Sequence, residues 1–275
     1  MLTKNQIQTY QNNGYLIFED LFQQEDLDKL QRAAINIVDE FDLNESKHIF
    51  TTQDHGKTRD DYFLDSADKI RCFFEEDAFD SYGQLNQSKS LSINKIGHAL
   101  HLLNPVFQQF SHQPLLKTIA NDLGLLQPQI RQSMYIFKQP HIGGVVNWHQ
   151  DASYFFTTPQ SVTTFWLAIE DATLQNGCLH VQPEGHKTPL REQFIREKDG
   201  TTILKKLDNT PYPNNSESIA VPVKKGTLIV FNGLLPHYSA PNHSNHSRHA
   251  FTLHMTCGTS DYSNNNWIQA EPDNL

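Results

Sequence analysis

Cationic charge is scarce in this chain: 22 Lys and Arg stand against 31 Asp and Glu, a formal net charge of -9 over 275 residues. A sequence-independent grip on nucleic acid or on an anionic membrane needs an excess of basic side chains, so neither partner is expected. The deficit weighs less against a small anion, because a pocket can be locally basic in an acidic protein. Cysteine is scarcer still. Cys72, Cys178 and Cys257 are odd in number and far apart, which gives neither a disulfide framework nor a Cys-x-x-Cys zinc site and fits a reducing compartment. Long apolar runs are missing as well. No stretch approaches the roughly 20 residues that cross a bilayer, and the opening Met1-Leu2-Thr3-Lys4-Asn5-Gln6 lacks the apolar run of a secretory signal. Together these absences lead to the expectation of a cytoplasmic protein. No repeat, low-complexity tract or Pro/Gly-rich linker divides the chain, so one domain over 1–275 is expected.

What is present divides into two textures. Hydrophobic residues make up 37% of the chain, enough for a sizeable core. Up to about residue 128 the pattern is mainly helical: Leu27, Leu30, Ala34, Ile35 and Val38 recur at helical spacing across Gln24 to Phe41. Within this part Tyr15 to Phe18 reads as extended. A further helix is expected after Asn94, carrying Ile96, Ala99, Leu102 and Leu103 and limited by Pro105. From about residue 129 to 260 short β-rich runs alternate with turn residues: Ile130 to Lys138, Gly144 to Asp151, Thr163 to Ile169, Cys178 to Gln182, Ile219 to Val223, Thr227 to Phe231 and Arg248 to Thr256. The expected fold is mainly β with flanking helices, a jelly-roll (double-stranded β-helix, cupin-like) core behind a helical N-terminal layer.

One short stretch carries chemistry. In Asn147-Trp148-His149-Gln150-Asp151, residues 149 and 151 share one side of an extended strand, so an imidazole and a carboxylate can converge on one point. His237, just past the apolar run Thr227 to Phe231 and the turn Asn232-Gly233, supplies a third donor from a rigid frame. Two histidines and one carboxylate make the face used by non-haem Fe(II) oxygenases. Eleven positions on, Arg248 opens a strand whose residues 248, 250, 252 and 254 share one face. An arginine facing a barrel interior calls for an anion, and its planar fork suits a carboxylate. A dicarboxylic co-substrate such as 2-oxoglutarate meets both demands. Its 2-oxo acid end could chelate the metal while Arg248 holds the far carboxylate, which leaves one metal position for O2. Among other histidines, His254 is a rival ligand but reads as a hydrogen-bonded core residue. His186, in the turn Pro183-Glu184-Gly185-His186, reads as structural or pocket-rim, and His180 is a further rival. His98 and His101, three apart on the expected helix, read as structural.

With these residues in view the chain resembles the phytanoyl-CoA dioxygenase family of Fe(II)/2-oxoglutarate oxygenases. The resemblance rests on His149-Gln150-Asp151, His237 and Arg248, and on Asn176-Gly177-Cys178-Leu179 leading to Pro183-Glu184-Gly185-His186 where the family has P-G-S-H. Further similar blocks are Asp61 to Leu64, Asp68 to Arg71, Ser92 to His101, Ser133 to His141 and Glu170 to Thr173, so the likeness spans roughly residues 5 to 270. The segment from Lys187 to Ser218 departs from it.

The resemblance implies an Fe(II) site at His149, Asp151 and His237. It implies a 2-oxoglutarate pocket lined by Lys95, Met134, Gln150, Trp166 and Arg248. It further implies hydroxylation of a small molecule with release of succinate and CO2, ascorbate serving as a supporting reductant. A carboxylate at Asp151, where related halogenases carry a small residue, implies hydroxylation and not halogenation. A sensor that binds metal and 2-oxoglutarate without productive turnover is the alternative. A cupin-type zinc hydrolase is disfavoured because such chemistry has no need of Arg248. The substrate is not identified. Lys187 with Arg191, or Lys205-Lys206, are the basic residues that could receive a CoA tail, and loop charges of that kind are usually solvated.

Overall fold

The computed structural model describes residues 1–44, 46–50 and 61–275. Its first part comprises α1 (Lys4–Asn13), β1 (Tyr15–Phe18), α2 (Gln24–Glu40), α3 (Asp61–Leu64), β2 (Ile70–Phe74), β3 (Ile93–His98), α4 (Leu100–Leu103), α5 (Pro105–Ser111) and α6 (Pro114–Asp122). The rest is strand: β4 (Pro128–Ile136), β5 (Val146–His149), β6 (Thr157–Thr158), β7 (Thr163–Ala168), β8 (Leu179–Val181), β9 (Glu192–Arg196) and β10 (Thr202–Lys206). They are followed by β11 (Ile219–Val221), β12 (Leu228–Asn232), β13 (His237–Ser239), β14 (Ala250–Cys257), β15 (Asp261–Tyr262) and β16 (Asp273–Asn274).

Local sequence explains the helices. Thr3 and Gln6 close a reciprocal cap on α1, with Gln6 N donating to Thr3 Oγ1 at 3.2 Å and Thr3 N to Gln6 Oε1 at 2.9 Å. Gly14 ends the helix at φ 85°, a conformation other L residues rarely adopt. On α2 the residues buried are Leu27, Leu30, Ala33, Ala34 and Val38, whereas Ile35 is 40% exposed and lies off the buried stripe. No helix of the described residues is long and apolar enough to cross a membrane.

Two larger sheets form the core, and β9 with β10 and β6 with β15 form two-stranded pairs beside it. The larger runs β1-β12-β7-β14-β4-β3-β2, with β16 added beside β4; the smaller runs β11-β8-β13-β5. This is the jelly-roll core, with helices against the outside of the larger sheet. Alternation along β14 divides its two faces. Phe251, Leu253 and Met255 point outward into a core shared with Leu27, Leu30 and the α5 rings. The Phe251 ring lies 5.0 Å from that of Phe107 and 6.0 Å from that of Phe110. Truncating a fully buried ring such as Phe251 costs on the order of 3–5 kcal/mol. Thr252 and His254 point inward, between the sheets.

The segment after Asn94 differs from the sequence reading. It is strand from Ile93 to His98, pairing Lys95 with Ile136 and Gly97 with Met134, and only Leu100–Leu103 is helical. A strand covered on both faces loses its period-two signal and reads as an apolar run, which the spacing of Ile96, Ala99 and Leu103 disguises as helix. Thus β1, β2 and β3, all within the expected helical layer, extend the larger sheet. The divergent segment from Lys187 to Ser218 contains a hairpin, β9 with β10. Arg248 lies just before β14 and not within it; its backbone N–H is shared between the Phe137 and Lys138 carbonyls at 3.3 and 3.2 Å.

Candidate metal centre

The three donors come from two short strands and a turn. His149 ends β5 and His237 begins β13; the two are direct partners across the small sheet, with ring centroids 4.1 Å apart. Asp151 opens a single 3-10 turn immediately after β5. Its Oδ1 lies 3.4 Å from His149 Nε2 and 3.6 Å from His237 Nε2. One ligand atom from each of the three residues fits within 4.8 Å of the others. Each histidine engages its second nitrogen in the same way. His149 Nδ1 meets the Asn147 carbonyl at 2.8 Å and His237 Nδ1 the Leu235 carbonyl at 3.0 Å. A carbonyl can only accept, so each Nδ1 carries a proton and each Nε2 is the nitrogen turned to the shared point.

The carboxylate is oriented too. Thr164 Oγ1 on β7 donates to Asp151 Oδ2 at 2.5 Å, and His254 Nε2 lies 3.5 Å from the same oxygen, leaving Oδ1 for the histidine side. Burial pushes the Asp151 carboxyl up, but the imidazoles of His237 and His254 and its hydrogen bonds outweigh that and hold it well below the usual range. Burial, with His149 beside it, brings His237 down to about 4, so its imidazole is neutral at pH 7. One carboxylate oxygen and two imidazole nitrogens form a donor set that suits Fe(II).

The triad borders a cavity of about 160 Å³ between the sheets. At its other end lies Arg248, 2% exposed, its Nε and Nη1 without a hydrogen-bond partner among the described residues. Its guanidinium carbon stands 5.2 Å from the Trp166 ring centre. Burial brings Arg248 down to about 10, which leaves it charged at neutral pH. A buried cation with unmatched donors is costly without an anion, so this end fits a carboxylate. Lys138 lies beside it, 2% exposed, donating to the Gly144 carbonyl at 2.7 Å. Burial and the Arg248 charge push the Lys138 ammonium well down, against the pull of the buried Glu75 carboxylate.

The motif Asn176-Gly177 supports this end. Asn176 Nδ2 donates to the Asp171 and Ser247 carbonyls at 2.9 and 3.2 Å, fixing the backbone next to Arg248. A Cβ on Gly177 (φ 83°) would overlap Lys138 Cε and the Ala240 carbonyl. The turn at Gly185 packs so closely on Pro236, next to His237, that a Cβ there would lie 2.6 Å from Pro236 Cδ.

Comparison with known proteins places this geometry. Residues 10–250 match the family model described as phytanoyl-CoA dioxygenase (PhyH). A phytanoyl-CoA dioxygenase of Arabidopsis thaliana is 42% identical over 273 residues, covering 98% of this chain and 94% of that one. The chain belongs to the phytanoyl-CoA dioxygenase family. Membership makes it an enzyme of an oxygenase family. Phytanoyl-CoA dioxygenase domain-containing protein 1 of Mus musculus is 39% identical over 285 residues, covering 99% of this chain and 96% of that one. Among solved structures, EctD from S. alaskensis with 2-oxoglutarate and 5-hydroxyectoine superposes with TM-score 0.66 at 19% identity, covering 100% of this chain and 86% of that one. The non-heme alpha ketoglutarate dependent carbocyclase SnoK gives TM-score 0.65 at 17% identity, covering 100% and 93%. At those identities the likeness shows the fold.

The residues that the family resemblance assigns to the pocket separate in the structure. Lys95, Met134, Trp166 and Arg248 all line the cavity with the triad. Lys95 lies nearer the rings than expected, its Nζ 3.3 Å from the Phe50 ring centre. Gln150 does not line the cavity and is a correction. Its Nε2 donates to the Leu234 and Pro189 carbonyls at 2.8 and 3.3 Å and its Oε1 accepts from Arg191 N at 3.0 Å, so it staples two loops. The reason is alternation: between two inward residues the chain points outward.

Of the other histidines, His254 is buried on β14 with its Nε2 toward Asp151, and it also lines the cavity, where it stacks on Phe155 at 4.9 Å. His98 ends β3 and also lines the cavity, its Nδ1 2.6 Å from Ser66 Oγ, while His101 binds Ser133 Oγ at 2.8 Å, so they form no pair. His186 Nε2 binds the Gln11 carbonyl at 3.0 Å and His180 Nδ1 binds Ser218 Oγ at 3.1 Å, both away from the triad. Sequence reasoning missed Lys138, Thr164 and Glu75. Lys138 ends the run Ile130 to Lys138 on the inward alternation of Gln132, Met134 and Ile136, and that signal could have found it.

Proposed function

We propose that the protein is an Fe(II)- and 2-oxoglutarate-dependent dioxygenase that hydroxylates a C–H bond of a small molecule, releasing succinate and CO2. One observation carries the reading: a two-His-one-carboxylate donor set and a buried arginine with unmatched donors line the same cavity. His149, Asp151 and His237 would hold the iron, and Arg248 the far carboxylate of 2-oxoglutarate. When bound, the iron and 2-oxoglutarate together supply the means of activating O2 for C–H oxidation.

The chain's own residues do the rest. The Asn147 and Leu235 carbonyls fix the histidine tautomers, and Thr164 with His254 directs one oxygen of Asp151 toward the metal position. Trp166 and Met134 flank the path between triad and arginine, and burial keeps bulk water from the charged groups. Ascorbate as supporting reductant and a cytoplasmic location belong to the same reading. The test is anaerobic titration of purified protein with Fe(II) and 2-oxoglutarate, followed in the visible charge-transfer band, and then succinate release on admitting O2. Tight binding of both with succinate release is expected. Absence of the band, or binding that Asp151→Ala leaves intact, refutes the assignment.

A further inference from the structure

The inner face of the larger sheet acts as a ruler. Across it, Ala250 pairs with Ile136 and Ala168, Thr252 with Met134 and Trp166, and His254 with Gln132 and Thr164. Arg248 and Lys138 lie beyond the first of these rungs, while His254 and Thr164, which hold Asp151, form the last. If the co-substrate spans from metal to Arg248, it occupies the cationic length of the ruler. The substrate must then meet the metal from the opposite side.

That side is made of rings. Tyr154, beside His149, Phe155, on His254, and Phe194, against Tyr154, line the cavity there, and Trp267 and Phe63 continue the ring lining toward Lys95. Phe63, Phe155, Phe194 and Trp267 belong to a hydrophobic cluster separate from the two that hold the sheets and helices together. Two near-parallel stacks run through it: Phe63 on Trp267 at 4.7 Å and 26°, and His254 on Phe155 at 4.9 Å and 26°. Tyr154 and Phe194 meet at 5.8 Å.

The chemistry of the lining narrows the class. The Lys and Arg side chains that line it among the described residues are Lys95, Lys138 and Arg248. Ring walls reward a flat π-system with offset and edge-to-face contacts that a saturated skeleton of equal size cannot make.

We propose that the ring-lined side of this cavity takes a substrate built on a flat aromatic or conjugated ring system. The proposal rests on the Fe(II)/2-oxoglutarate reading for which side is free, but its test does not need turnover. The probes are 2-naphthol and its saturated counterpart 2-decalol. Their affinities are measured by calorimetry on metal-free protein, then by perturbation of the charge-transfer band of anaerobic protein loaded with Fe(II) and 2-oxoglutarate.

Binding of 2-naphthol about fivefold to tenfold tighter than 2-decalol is expected. Trp267→Leu, which removes the ring and keeps the position apolar, should erase that preference while Fe(II) and 2-oxoglutarate still bind; Phe155→Leu is the second variant should the first fail to fold. Equal or tighter binding of 2-decalol, or a preference untouched in both variants, overturns the proposal. If Fe(II) and 2-oxoglutarate fail to bind while 2-naphthol binds with the stated preference, it is the oxygenase reading that falls.

Discussion

The two polar ends of the cavity handle buried charge in opposite ways. At the triad each histidine has its second nitrogen on a backbone carbonyl, and the spare carboxylate oxygen of Asp151 is held by Thr164 and His254. At the far end Arg248 keeps two nitrogens without a partner among the described residues, and Lys138 stands beside it with one carbonyl. The first end is organised before anything binds. The second stores an unmet demand, and unmet demand is what makes binding of an anion selective, because only the right ligand relieves it.

Substitutions can break this contrast in order of expected effect. Asp151→Ala removes the only carboxylate of the metal face, and Fe(II) affinity should fall at least about a thousandfold, with succinate release lost; calorimetry and a succinate assay read both. Arg248→Met should weaken 2-oxoglutarate by roughly two orders of magnitude, the effect of truncating one partner of a buried charge pair. The same change should raise the melting temperature of the ligand-free protein, since it deletes an unmatched buried cation. A fall in that temperature would mean Arg248 is satisfied internally, and the contrast would collapse. Thr164→Val frees Asp151 Oδ2 and should cost about tenfold to a hundredfold in Fe(II) affinity, the usual effect of a partner that orients a ligand.

A subtler effect lies outside the site. Burial, with a smaller push from His112, brings His101 down to about 3, and burial brings His249 down to about 4. Both folded values lie below the unfolded value near 6.5, so the unfolded chain takes up protons that the native state refuses. The stability they contribute is therefore complete above about pH 6.5 and is lost as pH falls toward 4. Each group contributes up to about 1.4 kcal/mol per pH unit in that window. Denaturant melts of ligand-free protein between pH 7 and 4 should show the slope, and His101→Gln should reduce it.

Much of this was legible in the residues. The β-rich second half, the His149/Asp151 pair and the inward stripe of β14 follow from a two-residue period, the signal that survives best when one face differs from the other. What was hidden lay where that signal fails. β3 is covered on both faces, so its apolar spacing imitates a helix. Lys138 and Thr164 look ordinary in sequence because their roles depend on what packs opposite them, Arg248 in one case and Asp151 in the other. The motif Asn176-Gly177 was visible, but its reason, room for Lys138 and a tie to the Ser247 carbonyl, exists only in three dimensions.

Gln150 gives the smallest expected effect on binding and the cleanest test of alternation. It sits between two candidate iron ligands in the chain, yet all of its polar atoms are spent on Pro189, Leu234 and Arg191. Replacing it with Ala leaves two part-buried carbonyls and one buried amide without that partner, which should cost about 1–3 kcal/mol of stability. Affinity for Fe(II) and 2-oxoglutarate, measured at a temperature where the variant is fully folded, should change less than about twofold, because neither polar end of the cavity touches its side chain. A tenfold loss of 2-oxoglutarate binding with little change in stability would instead put Gln150 inside the cavity. The strand alternation that separates the organised end from the demanding one would then need to be redrawn.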